Sequence, residues 1–277
     1  MKSKKELMPS TKEKSYFGLN SGAYPFTNEP LSDICSEKLN FNENSLVITS
    51  SGDIQILLAG LGAKNISSVD VSQKANAWAD YKWTIFKNYS KEEYNEILII
   101  NPTWNNFPIG LPVLNSSKNL FLKEKGKNHE KIYQSKIFKQ VKFSELKINS
   151  MGYLGKNYDF FQKRLKEVNL NFHVGDLGNH NLIRGLEKKF SFVYLSNVLD
   201  HLKGKNNLNY DFSKKNIIQT LKPIIESLDP FGQILYNFAW NERAIPGTIK
   251  ALKYFNQSLR KIEKKTKGCG KMYISEK

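Results

Sequence analysis

One segment constrains the fold of this chain more than any other. Ser45-Leu46-Val47-Ile48-Thr49 is a short β-rich run that stops at Ser50-Ser51-Gly52. Asp53 to Ala59 then reads as a helix, punctuated by Gly60 and Gly62. Ile66-Ser67-Ser68-Val69-Asp70 follows as a second short strand, and Ser72 is placed to cap a helix from Gln73 to about Lys87. Ala75, Trp78, Ala79, Lys82 and Phe86 fall along one face of that helix. Strand, helix, strand, helix is the opening half of a doubly wound α/β sheet.

The pattern breaks and then resumes. Residues 1–29 are polar, with turn formers, and read as an N-terminal arm to an ordered domain over 30–277. Residues 89–150 read as a helical insertion after the second strand: a helix at Lys91–Ile99, a Pro-rich loop, and a Lys-rich, helix-compatible stretch from Lys118 to Lys147. From Asn157 the chain alternates again. Tyr158, Phe161, Leu165 and Val168 mark an amphipathic helix; Leu170–Val174 and Phe190–Leu195 are strands. Ile217–Leu228 is a helix stopped by Pro230-Phe231-Gly232, and Gln233–Phe238 is the next strand. Thr248–Lys264 reads as a basic amphipathic helix, and Met272-Tyr273-Ile274 as a last strand.

Composition excludes several classes. With 40% apolar residues and 12% aromatics over 277 residues, the chain can fill a core and is not intrinsically disordered. Cys35 and Cys269 form neither a disulfide framework nor a zinc spacing, and the four histidines form no local ligand set, so no metal is expected. Lys-rich Met1–Ser15 has no apolar centre, and Ile54–Ala63 is about half of the ~20 residues a membrane helix needs. The expectation is a soluble, cytoplasmic chain, with peripheral membrane contact as an option. The net charge of +16 is nearly all Lys; Arg164, Arg184, Arg243 and Arg260 are the only arginines. Base-reading proteins lean on Arg, so the charge permits an anionic partner without requiring nucleic acid.

The chemistry-bearing residues gather at strand ends, where open parallel sheets bind ligands. Thr49, Ser50, Ser51, Gly52 and Asp53 end the first strand, and glycine there lets backbone approach a ligand. Asp70, with Val71 beside it, ends the second strand 18 residues after Gly52, a spacing suited to a carboxylate on a ribose diol. Asp176 and Leu177 follow the third strand, within reach of an adenine, and Ser196 and Asn197 follow the fourth. Each alone has a plainer explanation: a turn at Gly52, a helix cap at Asp70, turn chemistry at Asp176. Their order at successive strand ends points to an adenosine-bearing cofactor.

The run Val47–Gly60, continuing through Ser68-Val69-Asp70-Val71-Ser72, resembles class I S-adenosylmethionine-binding proteins. More narrowly, it resembles the betaine-lipid synthase family, S-adenosylmethionine:diacylglycerol 3-amino-3-carboxypropyl transferases, as does the run Tyr158–Asp176. The likeness covers about residues 30–100 and 150–240. It implies a class I methyltransferase-like (Rossmann-like) α/β fold, S-adenosyl-L-methionine as cofactor, and transfer of an aminocarboxypropyl group to a lipid or small-molecule acceptor. Ser196-Asn197-Val198-Leu199-Asp200-His201-Leu202 resembles instead a segment of many small-molecule methyltransferases, which keeps methyl transfer open. Asn197, Asp200 and His201 are the catalytic candidates, with Asp200 and His201 as bases, and Tyr236 and Asn237 the candidates facing the acceptor.

A different class of function also fits: a non-catalytic basic module for nucleic acid or a membrane surface, using Lys250, Lys253, Arg260, Lys261, Lys264, Lys265 and Lys267. A solvated Lys face on a core-packed helix explains the same charges. Asn101-Pro102-Thr103-Trp104 resembles the Asn-Pro-Pro-aromatic motif of amino-directed DNA methyltransferases, but Thr103 replaces the second proline.

Overall fold

The computed structural model describes residues 31–36, 39, 43–95, 153–186, 189–196, 198–202, 211–238, 242–262 and 271–276. The N-terminal arm, most of the expected insertion (96–150), the Asn101–Trp104 segment and Asn197 lie outside the described residues.

The elements are α1 (Leu31–Ser36), β1 (Asn44–Ile48), α2 (Asp53–Leu61), β2 (Asn65–Asp70), α3 (Gln73–Asn88), α4 (Lys91–Asn95), α5 (Tyr158–Leu165), β3 (Asn169–Val174), α6 (His180–Gly185), β4 (Phe190–Tyr194), α7 (Lys214–Glu226), β5 (Leu228–Phe238), α8 (Ala244–Tyr254), β6 (Leu259–Lys261) and β7 (Lys271–Glu276). The described strands form one sheet in the order β3-β2-β1-β4-β5-β7-β6. β1 to β5 pair in parallel, while β7 runs antiparallel to β5 and to β6. The chain therefore has the doubly wound sheet that the sequence pattern predicts, in the class I methyltransferase-like form that the resemblance implies.

Side-chain alternation sends successive strand residues to opposite faces. Val47, Ile66, Phe192, Tyr194 and Leu235 meet α2, α3 and α5 in one core layer. Leu46, Val193, Ile234 and Tyr236 meet α7 and α8 in the other. The centre of the sheet is covered on both faces, so β4 is buried at every position while edge strand β3 is half-exposed. On the first face α2 and α5 pack closely: a Cβ on Gly60 would run into the Phe161 ring. Only glycine lets that ring lie against the helix backbone.

Ser72 caps α3 as expected, its Oγ accepting from the Ala75 amide at 3.3 Å. Ala75, Ala79, Lys82 and Phe86 are buried on its inner face. The described residues stop at the end of α4 and resume at residue 153, between β2 and β3 in chain order. The two ends are stapled together. The Tyr94 and Tyr158 rings lie 5.5 Å apart, and Tyr158 Oη donates to the carbonyls of Phe86 and Tyr89.

Two expectations are corrected. The basic helix does not run from Thr248 to Lys264: it spans Ala244–Tyr254 and is stopped by Asn256 in the left-handed region at φ 57°. The Gln257 amide turns back onto the Leu252 carbonyl, and Leu259–Lys261 then adds a strand to β7. Pro230-Phe231-Gly232 does not separate helix from strand either. These residues lie inside β5, where a register shift between Phe190 and Phe192 accommodates them as a bulge. The sequence reading also passed over the short helices α1 and α6 as elements.

Candidate functional site

The strand order reverses between β1 and β4, and a ligand crevice belongs beyond the carboxyl ends at that switch point. The pairings Ile48↔Val69, Val47↔Tyr194 and Tyr194↔Leu235, continued past the last paired residues, set Asp70, Thr49, Ser196 and Asn237 in one row. Backbone bonds extend along it: the Thr49 amide donates to the Val69 carbonyl at 3.0 Å and the Asn237 amide to the Ser196 carbonyl at 2.8 Å. Four expected site residues from four strands thus come together.

The two serines at the switch point share an uncommon backbone. Ser50 has φ 46° and Ser196 φ 49°, both left-handed for a residue with a Cβ. Such conformations are over-determined by their surroundings and concentrate at functional sites. Ser50 is held by its amide, which donates to Asp70 Oδ2 at 3.3 Å, while the Ser72 amide donates to Asp70 Oδ1 at 2.8 Å. Burial pushes the Asp70 carboxyl up to about 6, against the two backbone hydrogen bonds that favour its ionised form. Val71, next to it, is an exposed apolar side chain.

A buried polar network fixes the loop after β1. Thr49 Oγ1 shares a hydrogen bond with Ser68 Oγ at 2.8 Å and donates to Asn76 Oδ1. Asn76 Nδ2 donates to the His173 carbonyl, tying α3 to β3. Gln55 Nε2 donates to Ser68 Oγ at 2.7 Å and to the Thr49 carbonyl at 3.2 Å. The Gly52 amide closes a turn onto the Thr49 carbonyl, and Gly52 enters α2 at φ 86° with no side-chain cap. Its Cα is pressed against α3, since a Cβ there would lie 2.9 Å from Cα and Cβ of Ala79.

Asp53 opens α2 but faces inward. Its Oδ1 meets Lys82 Nζ at 2.6 Å, its Oδ2 accepts from Ser51 Oγ at 2.9 Å, and both charged side chains are fully buried. Burial pulls the Lys82 ammonium below its usual range, opposed by the Asp53 charge. The Tyr94 phenol, buried nearby, is pushed up by desolvation first and the Asp53 charge second.

The remaining candidates are less converged. Asp176 is exposed, two residues past β3, and its Oδ1 accepts from the Gly178 amide at 2.8 Å, an Asx turn ahead of α6. Leu177 beside it is buried. Asp200 is buried in the 3₁₀ turn Val198–His201 directly after β4. The His201 side chain lies outside the described residues. Tyr236 departs from the expected acceptor-facing position: it sits in the core layer with α7 and α8, its hydroxyl on Ser275 Oγ at 3.2 Å and its ring stacked on Phe238. An aromatic on a central strand points into whichever layer its parity selects, and here that layer is closed. The Asn237 side chain is likewise buried.

Sequence reasoning missed Gln55, Ser68, Asn76 and the pairing of Lys82. The available signal was polarity out of place, with Ser67-Ser68 in a buried strand and Asn76 beside the apolar face of α3. Among the described residues no His, Cys, Asp or Glu cluster could hold a metal ion. No helix among them is long and apolar enough to cross a membrane.

No family model and no curated protein matches the sequence. Solved structures are similar at low identity. The rRNA methyltransferase aviRa from Streptomyces viridochromogenes is 9% identical with a TM-score of 0.48, over 92% of this chain and 86% of that one. The ribosomal protein L11 methylase from Lactobacillus delbrueckii subsp. bulgaricus is 11% identical with a TM-score of 0.42, over 90% and 75%. The N-methyltransferase NodS from Bradyrhizobium japonicum WM9, in complex with S-adenosyl-L-homocysteine, is 9% identical with a TM-score of 0.37, over 85% and 76%. With likeness this distant, it is the strand order, with β7 reversed against β5, that gives the chain its class I methyltransferase-like fold.

Proposed function

We propose that this chain is an S-adenosyl-L-methionine-dependent transferase that moves a 3-amino-3-carboxypropyl group to a lipid or small-molecule acceptor. The observation that carries the cofactor reading is Asp70: a carboxylate at the end of β2, oriented by the Ser50 and Ser72 amides, beside the turn that starts α2. A ribose diol donates two hydrogen bonds and fits such a carboxylate, and the opening of α2 suits the cofactor's own carboxylate. These side chains are neutral or acidic, which suits a ligand that carries a sulfonium.

In this reading Thr49 to Asp53 shape the pocket for the amino-acid part, with Asp53 acting from beneath. Asp70 binds the ribose, exposed Val71 covers one face of the adenine, and Asp176 and Leu177 line its edge. Ser196 borders the reacting end. Asn197, Asp200 and His201 follow β4 on the acceptor side, with Asp200 as the proton acceptor for a hydroxyl nucleophile; an amine needs only deprotonation and alignment. Asn237 contributes through its place in the strand-end row, and Tyr236 supports it from the core. When bound, the cofactor supplies a sulfonium whose attached carbons are all electrophilic.

The choice of an aminocarboxypropyl group rests on the resemblance of Val47–Gly60 and Tyr158–Asp176. Methyl transfer is the second reading, favoured by the Ser196–Leu202 segment and the buried Asp200. Incubation with S-adenosylmethionine and candidate acceptors, followed by identification of the released nucleoside, separates them. Methylthioadenosine is the expected product; S-adenosylhomocysteine replaces the first reading with the second. A protein that binds no cofactor, but binds anionic polymers or vesicles with steep salt dependence, is a basic binding module instead.

A further inference from the structure

α3 tracks the loop after β1 at intervals of three residues. Asn76 accepts from Thr49 Oγ1, Ala79 backs Gly52, and Lys82 reaches Asp53. Residues three apart share a helix face, so one face of α3 underlies the loop from end to end.

The loop needs holding. Ser50 at φ 46° and Gly52 at φ 86° are both left-handed, with Ser51 between them. A serine in that region is strained and relaxes unless contacts fix it. Asp70 grips the Ser50 amide from the ligand side. From the core side, the grip runs from Ser51 Oγ to Asp53 Oδ2, and from Asp53 Oδ1 to Lys82 Nζ.

A fully buried ion pair is a poor device for net stability, because desolving two charges offsets most of their attraction. A hydrophobic pair of similar volume would fill the same space. What a hydrophobic pair would not do is accept the Ser51 hydroxyl in a fixed direction.

We infer that Lys82 and Asp53 are positioning residues, which act through Ser51 to hold the Ser50-Ser51-Gly52 loop in the shape that receives the cofactor's amino-acid part. This rests on the cofactor reading above. Lys82 is fully buried and acts at one remove: it orients the Asp53 carboxylate, and that carboxylate orients the Ser51 hydroxyl.

Three variants test it: Ser51→Ala, Ser51→Thr, and Asp53→Leu combined with Lys82→Met, which removes both charges and keeps the space filled. Backbone amide hydrogen exchange over residues 50–53 is measured without ligand, beside exchange in β4 and β5, and S-adenosylmethionine affinity is measured by calorimetry. In Ser51→Ala and the double variant, loop exchange is expected to rise about tenfold or more while β4 and β5 stay protected. Cofactor affinity is expected to fall by a similar factor. Ser51→Thr, which keeps the hydroxyl, is expected to preserve both. If Ser51→Ala binds within twofold of the unaltered protein and its loop amides stay protected, the positioning role is overturned and the cofactor reading stands. If the unaltered protein itself fails to bind, both are overturned. Should the double variant not fold, the two Ser51 variants decide the matter alone.

Discussion

The Ser50 amide donates to Asp70 Oδ2 across 3.3 Å, joining the turn after β1 to the end of β2. A left-handed serine and a half-buried carboxylate therefore hold each other in place. Changing the protonation of one changes the support of the other.

Cofactor binding should follow the Asp70 charge. The carboxyl is raised from 3.8 to about 6, so it is ionised at neutral pH and protonated near pH 5. A protonated group loses acceptor strength toward a ribose diol. Affinity is expected to be flat above pH 7 and to fall by about tenfold per unit well below pH 6. Calorimetric titration from pH 5 to 8 checks this, and Asp70→Asn should be weak and flat over that range. The stability effect has the opposite sign. Between roughly pH 4 and 6 the folded chain holds a proton on Asp70 that the unfolded chain has lost. The Asp70 contribution to stability is thus fully present below this window and lost as pH rises through it, which urea melts of the ligand-free protein read directly.

Lys82→Met alone should be more damaging than removing both charges. It leaves the Asp53 carboxyl fully buried without the ammonium at 2.6 Å. The expected cost is about 3–5 kcal/mol, and Asp53→Leu added to it should recover most of that. Equilibrium urea denaturation of the single and double variants measures the coupling.

Gly52→Ala should destabilise twice over. An alanine at φ 86° is strained, and its Cβ would lie 2.9 Å from Cα and Cβ of Ala79. Backbone atoms of α3 cannot yield as a flexible side chain could. A loss of roughly 2–3 kcal/mol is expected by thermal or chemical melting. Adding Ala79→Gly should restore part of it, by freeing the Cβ contact alone.

Ser72→Ala offers a calibration away from the ion pair. The hydroxyl accepts from the Ala75 amide at the start of α3, and its loss should cost about 1 kcal/mol. The Ser72 amide that orients Asp70 survives the substitution, so cofactor affinity should move less than threefold.

What was legible in the sequence was what short-range patterns encode. The β1-loop-α2-β2-α3 order and the Ser72 cap both follow from periodicity and turn residues close in the chain. The Asp70–Thr49–Ser196–Asn237 row was half legible: strand ends can be named from sequence, but register belongs to the assembled sheet. Lys82 looked like one more residue of a helix face, because its partner lies 29 residues earlier in another helix. Leu259–Lys261 has no strand pattern of its own and becomes one only against β7. Tyr236 was misjudged for the same reason, since a strand sequence states alternation but not which layer is closed.

The stapling of Tyr94 against Tyr158 has a consequence for how such a chain can diversify. The sheet receives one closed stem where α4 leaves and α5 begins, so its geometry there does not depend on how much chain is strung between them. The length of chain between them is therefore free to change without disturbing the packing of α4 on α5.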